Sequence, residues 1–495
     1  MSQFIRGVRF GMAVCTVAML AACDSDPVGP PAGGDDDDSV PGLINADITE
    51  DRTLYADTVY TLSGFIKVGN GATLTIQPGT TILGDYDIPG SSLFILRGSR
   101  IMAEGTREQP IVFTSERPVG QRRPGDWGGL IIIGNGLTNR GAPTYIEGTG
   151  TDETLNPLQD YSGGTDNDDD SGVLRYVRIE FAGFPTAPNE ELNSLTMAAV
   201  GRGTTIEYVQ VLLGLDDSFE WFGGAVDARY LISYESADDH FDMSEGYVGR
   251  IQNVIAFQSI QPEPRADISG GAASDPQGIE NDGCWAENCN AGNANRGASQ
   301  PYTVPVIANF TLIGPPPGRW DSSSGNVGMM LRRGTAGLYV NGVVARYAGA
   351  DGEVGAAISL RGQETMDRMT EGLLAVRNIY MAENRVAFQE GSPTHEDPTR
   401  RQFTMDMAAN GLEVGSMPTG DLFASLPLDP QTPADFDWMP AAGSPLRTGG
   451  LSDFSSLPEA LRQAAGDFIQ PTTYRGAVDP NGERWWEGWT SYARN

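Results

Sequence analysis

The 495-residue chain carries 65 acidic against 33 basic side chains, a formal net charge of −32 at pH 7. So large an acidic excess excludes nucleic acid as a partner. Lys67 is the single lysine, so a lysine base or Schiff base is excluded at every other position.

At the N-terminus, Arg6 and Arg9 precede an apolar run from Gly11 to Leu20, the plan of a secretory leader too short to span a bilayer. The leader closes on Leu20-Ala21-Ala22-Cys23, which resembles the lipid-attachment sequence of bacterial lipoproteins. That resemblance implies cleavage after residue 22 and acylation of Cys23, and several acyl chains hold a protein at a membrane stably. The competing reading is an ordinary secreted protein in which Cys23 is incidental. Residues 23–45 are read as a flexible tether, because Asp24 to Gly42 is Pro, Gly and Asp with almost nothing apolar to bury. Asp24 resembles an inner-membrane retention signal of some enterobacterial lipoproteins. The outer membrane, on its surface or periplasmic face, is nevertheless the expected location.

From residue 46 the chain is short β-type runs cut by glycine turns, with almost no helical period. Leu74-Thr-Ile76, Phe94-Ile-Leu96, Ile111-Val-Phe113 and Leu130-Ile-Ile-Ile133 have centres about 20 residues apart, the length of one solenoid coil. Tyr176-Val-Arg-Ile179, Tyr208-Val-Gln-Val211, Tyr230-Leu-Ile-Ser233 and Asn253-Val-Ile-Ala256 continue with spacings of 32, 22 and 23, and the series runs on through Asn309, Gly342 and Asn378. These features predict an all-β, right-handed parallel β-helix over 46–420, with terminal caps and long loop insertions. A β-propeller fits less well, since its blades repeat at about 40 to 45 residues. Ile48 to Leu62 is expected to start the stack. Residues 421–495, ending in a cluster of Trp485, Trp486 and Trp489, are expected to form a loop-rich cap.

Several segments carry a family likeness: Gly71-Ala-Thr-Leu-Thr-Ile-Gln-Pro-Gly-Thr80, Gly125-Asp-Trp-Gly-Gly-Leu130, Asp217-Ser-Phe-Glu-Trp-Phe-Gly-Gly224, Gly278-Ile-Glu-Asn281 and Gly488-Trp-Thr490. The mature chain resembles the right-handed β-helix lipoproteins of Bacteroidota and related bacteria. The resemblance implies a pectate-lyase-like fold and an envelope location.

One pair of segments repeats strongly: Asp216-Asp-Ser-Phe-Glu-Trp-Phe-Gly-Gly224 and Asp238-Asp-His-Phe-Asp-Met-Ser-Glu-Gly246, offset by 22 residues. If they stack, Asp216 lies over Asp238 and Glu220 over Asp242. Strand alternation assigns Asp217, Phe219 and Trp221, with Asp239, Phe241 and Met243, to the core, and Ser218 and His240 to the wet face. Two like charges about 4.8 Å apart repel by roughly 1 kcal/mol in water and about 3 to 4 kcal/mol at the effective dielectric near a protein surface. A calcium ion would offset this, as would an arginine, a raised carboxyl pKa, or exposure to salt. Asp216, Asp217, Glu220, Asp238, Asp239 and Asp242 are thus candidate metal ligands. Asp at coil corners also serves as a purely structural turn former. Both readings stay open.

Glu280, Asn281 and Asp282 are candidates to lie over this ladder, with His240, Arg229 and Arg250 as further ligand contacts and Trp285 as a platform for a sugar ring. Cys284 and Cys289 are read as a small-loop disulfide, because two thiols without a third or fourth Cys or His nearby make a poor zinc site. A polysaccharide lyase on this fold would need an Arg or Lys base, for which Arg229 and Arg250 are available. The hydrolase alternative lacks its most specific stretches, and with two histidines and no nucleophile elbow a Ser or Cys triad is unsupported. The residues favour a lipid-anchored binding rod for a glycan, a partner protein or a surface layer. A calcium-dependent lyase or other carbohydrate-active enzyme is the alternative, and an accessory of an outer-membrane transporter the next.

Overall fold

The computed structural model describes residues 41–494 apart from 267, 269, 270, 274, 275, 321–325, 349–354 and 389–404. The leader, Cys23 and most of the tether lie outside the described residues. Within them the chain winds as a right-handed parallel β-helix of two long sheets.

The first sheet has nine strands: Phe65–Val68, Ser92–Ile95, Gly129–Ile133, Leu195–Ala198, Phe219–Phe222, Phe241–Ser244, Gln277–Asp282, Val327–Arg332 and Ala356–Leu360. Neighbours in space follow chain order and every pairing is parallel, so each strand belongs to the next coil. Side chains on the inner face form columns. Leu93, Leu130, Leu195, Phe219, Phe241, Ile279, Met329 and Ile358 lie one above another, all buried. Fully burying such a side chain contributes about 1.5–3 kcal/mol, so the column fixes the register of the sheet. A slip by one residue would turn every column member to the outside.

The second sheet wraps the other side and contains long strands such as Gly172–Glu180, Thr205–Leu212, Ala228–Tyr234, Arg250–Phe257 and Val306–Ile313. Each of these bends at a single residue in the left-handed region: Tyr176, Tyr208, Tyr230, Asn253 and Asn309, continued by Asn341 and Asn378 between shorter strands. Asn tolerates this conformation better than most residues. The tyrosines stack instead, with ring centres 4.5 Å apart from Tyr176 to Tyr208 and again from Tyr208 to Tyr230.

Two expectations need correction. Leu74 pairs with Ile101, Phe94 with Ile131, and Ile111 with Val177, so the four runs about 20 residues apart alternate between the two sheets and are half-coils. Thr311 pairs with Val343, which puts Asn341, not Gly342, level with Asn309. Residues 48–62 lie at the start of the stack, where Arg52–Leu54 and Val59–Leu62 pair in parallel with the next coil.

The C-terminal segment runs along the flank of the bent sheet. Trp489 meets the edges of Tyr176 and Tyr208, and Trp485 lies on Tyr230. Phe436, Trp438, Trp486 and Tyr492 join Phe181, Leu212, Tyr234 and Phe257 in one buried cluster. The side chain of Gln210 accepts from Ser491 N and donates to its carbonyl. The buried carboxylate of Glu235 accepts from Ser259 N (2.8 Å), Ser259 Oγ (2.6 Å) and the Tyr492 hydroxyl. Because the Tyr and Asn corners lie on the side of the coil, the aromatic cluster covers that side as a lateral brace.

Candidate metal centre

The outward column of the nine-strand sheet changes character along the rod. Phe94 and Ile131 are apolar and covered by Ile146 and Tyr161 of the segment between Ile133 and Gly172. Thr196 follows, then Glu220, Asp242 and Glu280 in direct register, then Met330 and Ser359. Three carboxylates therefore stack where the strand pleat turns them away from the core.

A second file of side chains stands at the entry to each strand. Asn193 Oδ1 accepts from Asp217 N (3.1 Å), Asp217 Oδ1 from Asp239 N (2.9 Å), Asp239 Oδ1 from Gln277 N, and Gln277 Oε1 from Val327 N (3.0 Å). One oxygen of each aspartate thus ties its coil to the next. These turn residues precede the strands at 219 and 241, so the two-residue alternation does not extend to them. Asp217 and Asp239 consequently line the cleft with Glu220 and Asp242, instead of entering the core. Ser218 and His240 turn inward in their place, where Ser233 Oγ lies 2.7 Å from Ser218 Oγ and 2.6 Å from His240 Nδ1. Burial drives the imidazole pKa down to about 3. His240 is a neutral core residue and not a ligand contact.

The two files enclose a cavity of about 210 Å³ lined by Glu147, Asp216, Asp217, Glu220, Asp238, Asp239, Asp242, Glu280 and Arg332. Among the described residues, eight carboxylates face one guanidinium. Oxygens of Glu147, Glu191 and Asp216, of Asp216, Asp217 and Asp238, of Asp217, Glu220 and Asp242, and of Asp239, Asp242 and Glu280 form four triads, each with its atoms within 4.8 Å of one another. Consecutive triads share a residue or abut, so the groups make a row.

The electrostatic cost shows in the titration of the row. Burial, reinforced by Glu191, pushes Asp216 up to about 7. Burial first, then neighbouring carboxylates, raises Asp217, Glu220, Asp239 and Asp242 well above the ordinary range. Asp242 Oδ1 has no accessible surface and no hydrogen-bond partner among the described residues. Asp282 goes the other way: burial would raise it, but Arg332 and Arg333 outweigh that and hold it low. Arg332 bonds Glu280 and, through Nε, Asp282 Oδ1 at 2.8 Å. Hard carboxylate oxygens packed this closely suit a hard divalent cation such as calcium, which takes six to eight oxygen ligands.

Other expected contacts fall elsewhere. Asn281 points into the core, buried, and donates to the Tyr339 hydroxyl. Arg250 grips Asp227, with Nε 2.9 Å from Oδ1, and Arg229 donates to the carbonyl of Phe468 with its guanidinium 3.9 Å from that ring centre. Both belong to the bent sheet under the C-terminal segment and do not line the cavity. Trp285 is 49% exposed, with the guanidinium of Arg333 at 4.7 Å and that of Arg296 at 5.1 Å from its ring centre. Arg333 also holds Asp282, which links this platform to the end of the cleft. Cys284 and Cys289 form a disulfide.

Glu147, Glu191 and Arg332 have no signal in the ladder repeat. Glu147 arrives on the insertion between Ile133 and Gly172, which is clamped by the disulfide loop. There Asn288 Nδ2 donates to Gly141 O at 2.7 Å and Arg140 Nε donates to Asn288 Oδ1 at 2.7 Å. Contacts between such distant segments have no periodicity to betray them.

A parallel β-helix bearing a carboxylate-lined cleft on its nine-strand sheet is thus the class that fold and site define. The chain belongs to the family of pectate-lyase like β-helix domains, whose model matches residues 46–419. No curated protein and no solved structure matches it.

Proposed function

We propose that this protein is a lipid-anchored envelope rod, held through Cys23 at the outer membrane, whose acidic cleft binds divalent cations, calcium foremost, as part of a binding function. The observation that carries the reading is the excess, among the described residues, of eight carboxylates over one arginine in a single cleft. Binding is favoured over catalysis because Arg229 and Arg250 are engaged on the other sheet and the guanidinium of Arg332 is held by Glu280 and Asp282. The exposed face of Trp285, joined to the cleft through Arg333 and Asp282, supports a glycan as the partner.

Thermal unfolding of the mature protein with calcium and with chelator tests the cation. A ligand that binds only the folded state at 100 times its Kd adds about 2.7 kcal/mol, so the melting temperature is expected to drop in chelator. An unchanged melting temperature would remove calcium from the proposal. Near-ultraviolet absorbance after incubation with polyuronates tests the lyase alternative, and formation of an unsaturated product would replace the binding reading with an enzymatic one.

A further inference from the structure

The outward column ends abruptly. Glu220, Asp242 and Glu280 climb in register, and the next coil supplies Met330 where a fourth acid would stand. Two residues on, Arg332 is the cross-strand neighbour of Asp282. Its side chain reaches back one coil to bond both Glu280 and Asp282, with side-chain exposure of only 16%. It therefore places a positive charge at the last triad, that of Asp239, Asp242 and Glu280. Next to it, Asp242 Oδ1 has neither solvent nor a hydrogen-bond partner among the described residues.

We infer that Arg332 is a built-in cation that reserves this end of the cleft and sets how many metal ions the cleft accepts. The inference rests on the cation-binding reading above. A guanidinium is permanently charged and makes directed bonds to carboxylates, so it does for Glu280 and Asp282 what a metal ion would do. Displacing it would leave Asp282 held by Arg333 alone. Metal ions are then confined to the triads around Asp216, Asp217, Glu220 and Asp238. Removing the guanidinium takes a positive charge from the triad of Asp239, Asp242 and Glu280, and a further ion can take its place.

The test is calorimetric titration of the mature wild-type chain, Arg332→Gln and Arg332→Lys with calcium chloride, read with melting temperatures in chelator and in calcium. Arg332→Gln is expected to take up an additional calcium ion per chain, to melt lower than wild type in chelator and to recover in calcium. Arg332→Lys, which keeps a charge, is expected to retain the wild-type count. Equal count and affinity in wild type and Arg332→Gln would overturn the inference while leaving the cation reading standing. An Arg332→Gln chain that stays unfolded in calcium as in chelator would also overturn it, since a metal ion then cannot take the guanidinium's place. Calcium uptake by Arg332→Gln alone would support the role of Arg332 and refute the native cleft as a calcium site. Uptake by none of the three would refute both.

Discussion

On the bent sheet, Asn253, Asn309, Asn341 and Asn378 rise along one corner of the coil, and each finds a partner in the C-terminal segment. Asn253 Nδ2 donates to Ala477 O at 2.9 Å, Asn309 Nδ2 to Thr472 Oγ1 at 2.9 Å, Asn341 Oδ1 accepts from Leu451 N at 2.6 Å, and Asn378 Nδ2 donates to Gly449 O at 2.9 Å. On the nine-strand sheet, Glu220, Asp242 and Glu280 rise in the same in-register manner, and Arg332 is the one positively charged side chain lining their cavity among the described residues. The backbone physics is identical, since parallel coils place equivalent residues about 4.8 Å apart whatever their chemistry. An amide offers both donor and acceptor, so a neighbouring segment can complete it. A carboxylate offers acceptors alone and adds a charge with each coil, so the protein's own groups complete it only in part, Asn193 donating to Glu220 and Arg332 to Glu280. One stack is a brace, and the other is the site we propose for an external ion.

The comparison can be broken from its neutral side first. Trp489→Ala removes a buried indole from the brace, and a change of this type costs about 3–5 kcal/mol. A large loss of melting temperature with the calcium response intact is expected. Loss of both together would mean the two regions are not separable.

Asn341→Ala is expected to cost about 1–3 kcal/mol, because it orphans Leu451 N and leaves a residue with a Cβ at φ 60° without its compensating contacts. Asn341→Gly relieves the backbone part alone, so denaturant unfolding of the two variants divides the effect between conformation and hydrogen bonding.

On the charged side the sign reverses. Asn in place of Asp217 keeps the carbonyl that accepts Asp239 N while removing a charge, and Asp242→Asn removes another. In chelator the double variant is expected to melt above wild type, by an amount corresponding to roughly 1 kcal/mol or more of relieved repulsion. A double variant that melts lower than wild type in chelator would show that these carboxylates are structural.

The pH response turns on a single carboxyl. Asp216 is raised to about 7 by burial, then by Glu191, so its protonated form adds stability that is complete below about 4 and is lost as pH rises through about 7. Metal-free protein should therefore lose stability, relative to Asp216→Asn, between about pH 4 and 7. Calcium must displace that proton, so calcium affinity should fall as pH drops from about 7. Melting curves and titrations across this range check both signs, and a flat difference between Asp216→Asn and wild type would contradict the burial of that carboxyl.

Much of the stack was legible in the sequence because a coil repeats its residues. The 22-residue offset between Asp216–Gly224 and Asp238–Gly246 is the register observed, Phe219 on Phe241 and Glu220 on Asp242. The Tyr and Asn series likewise reads out the left-handed corners, apart from the one-residue displacement at Gly342. What failed depended on geometry outside that periodicity. Alternation misplaced Asp217, Ser218, Asp239 and His240 because turns do not obey a two-residue period. Glu280 was expected on a loop folded over the ladder but is the next rung, since a long insertion disguised the offset between coils. Glu147 approaches from a segment with no counterpart in the ladder, and Arg332 stands on the next strand of the sheet, two residues past Met330, at a position outside the repeated acids. The brace was read as an end cap because an aromatic cluster in the sequence says what will be buried but not against which surface.

The central claim, that stacked coils create a charge excess only an external cation completes, is tested most directly by titrating the mature protein with calcium at pH 7.5 beside its Asp217→Asn, Asp242→Asn double variant. The account predicts saturable binding by wild type and a loss of at least tenfold in affinity in the double variant, about 1.4 kcal/mol or more. Absence of binding by wild type, or equal binding by both proteins, would contradict it.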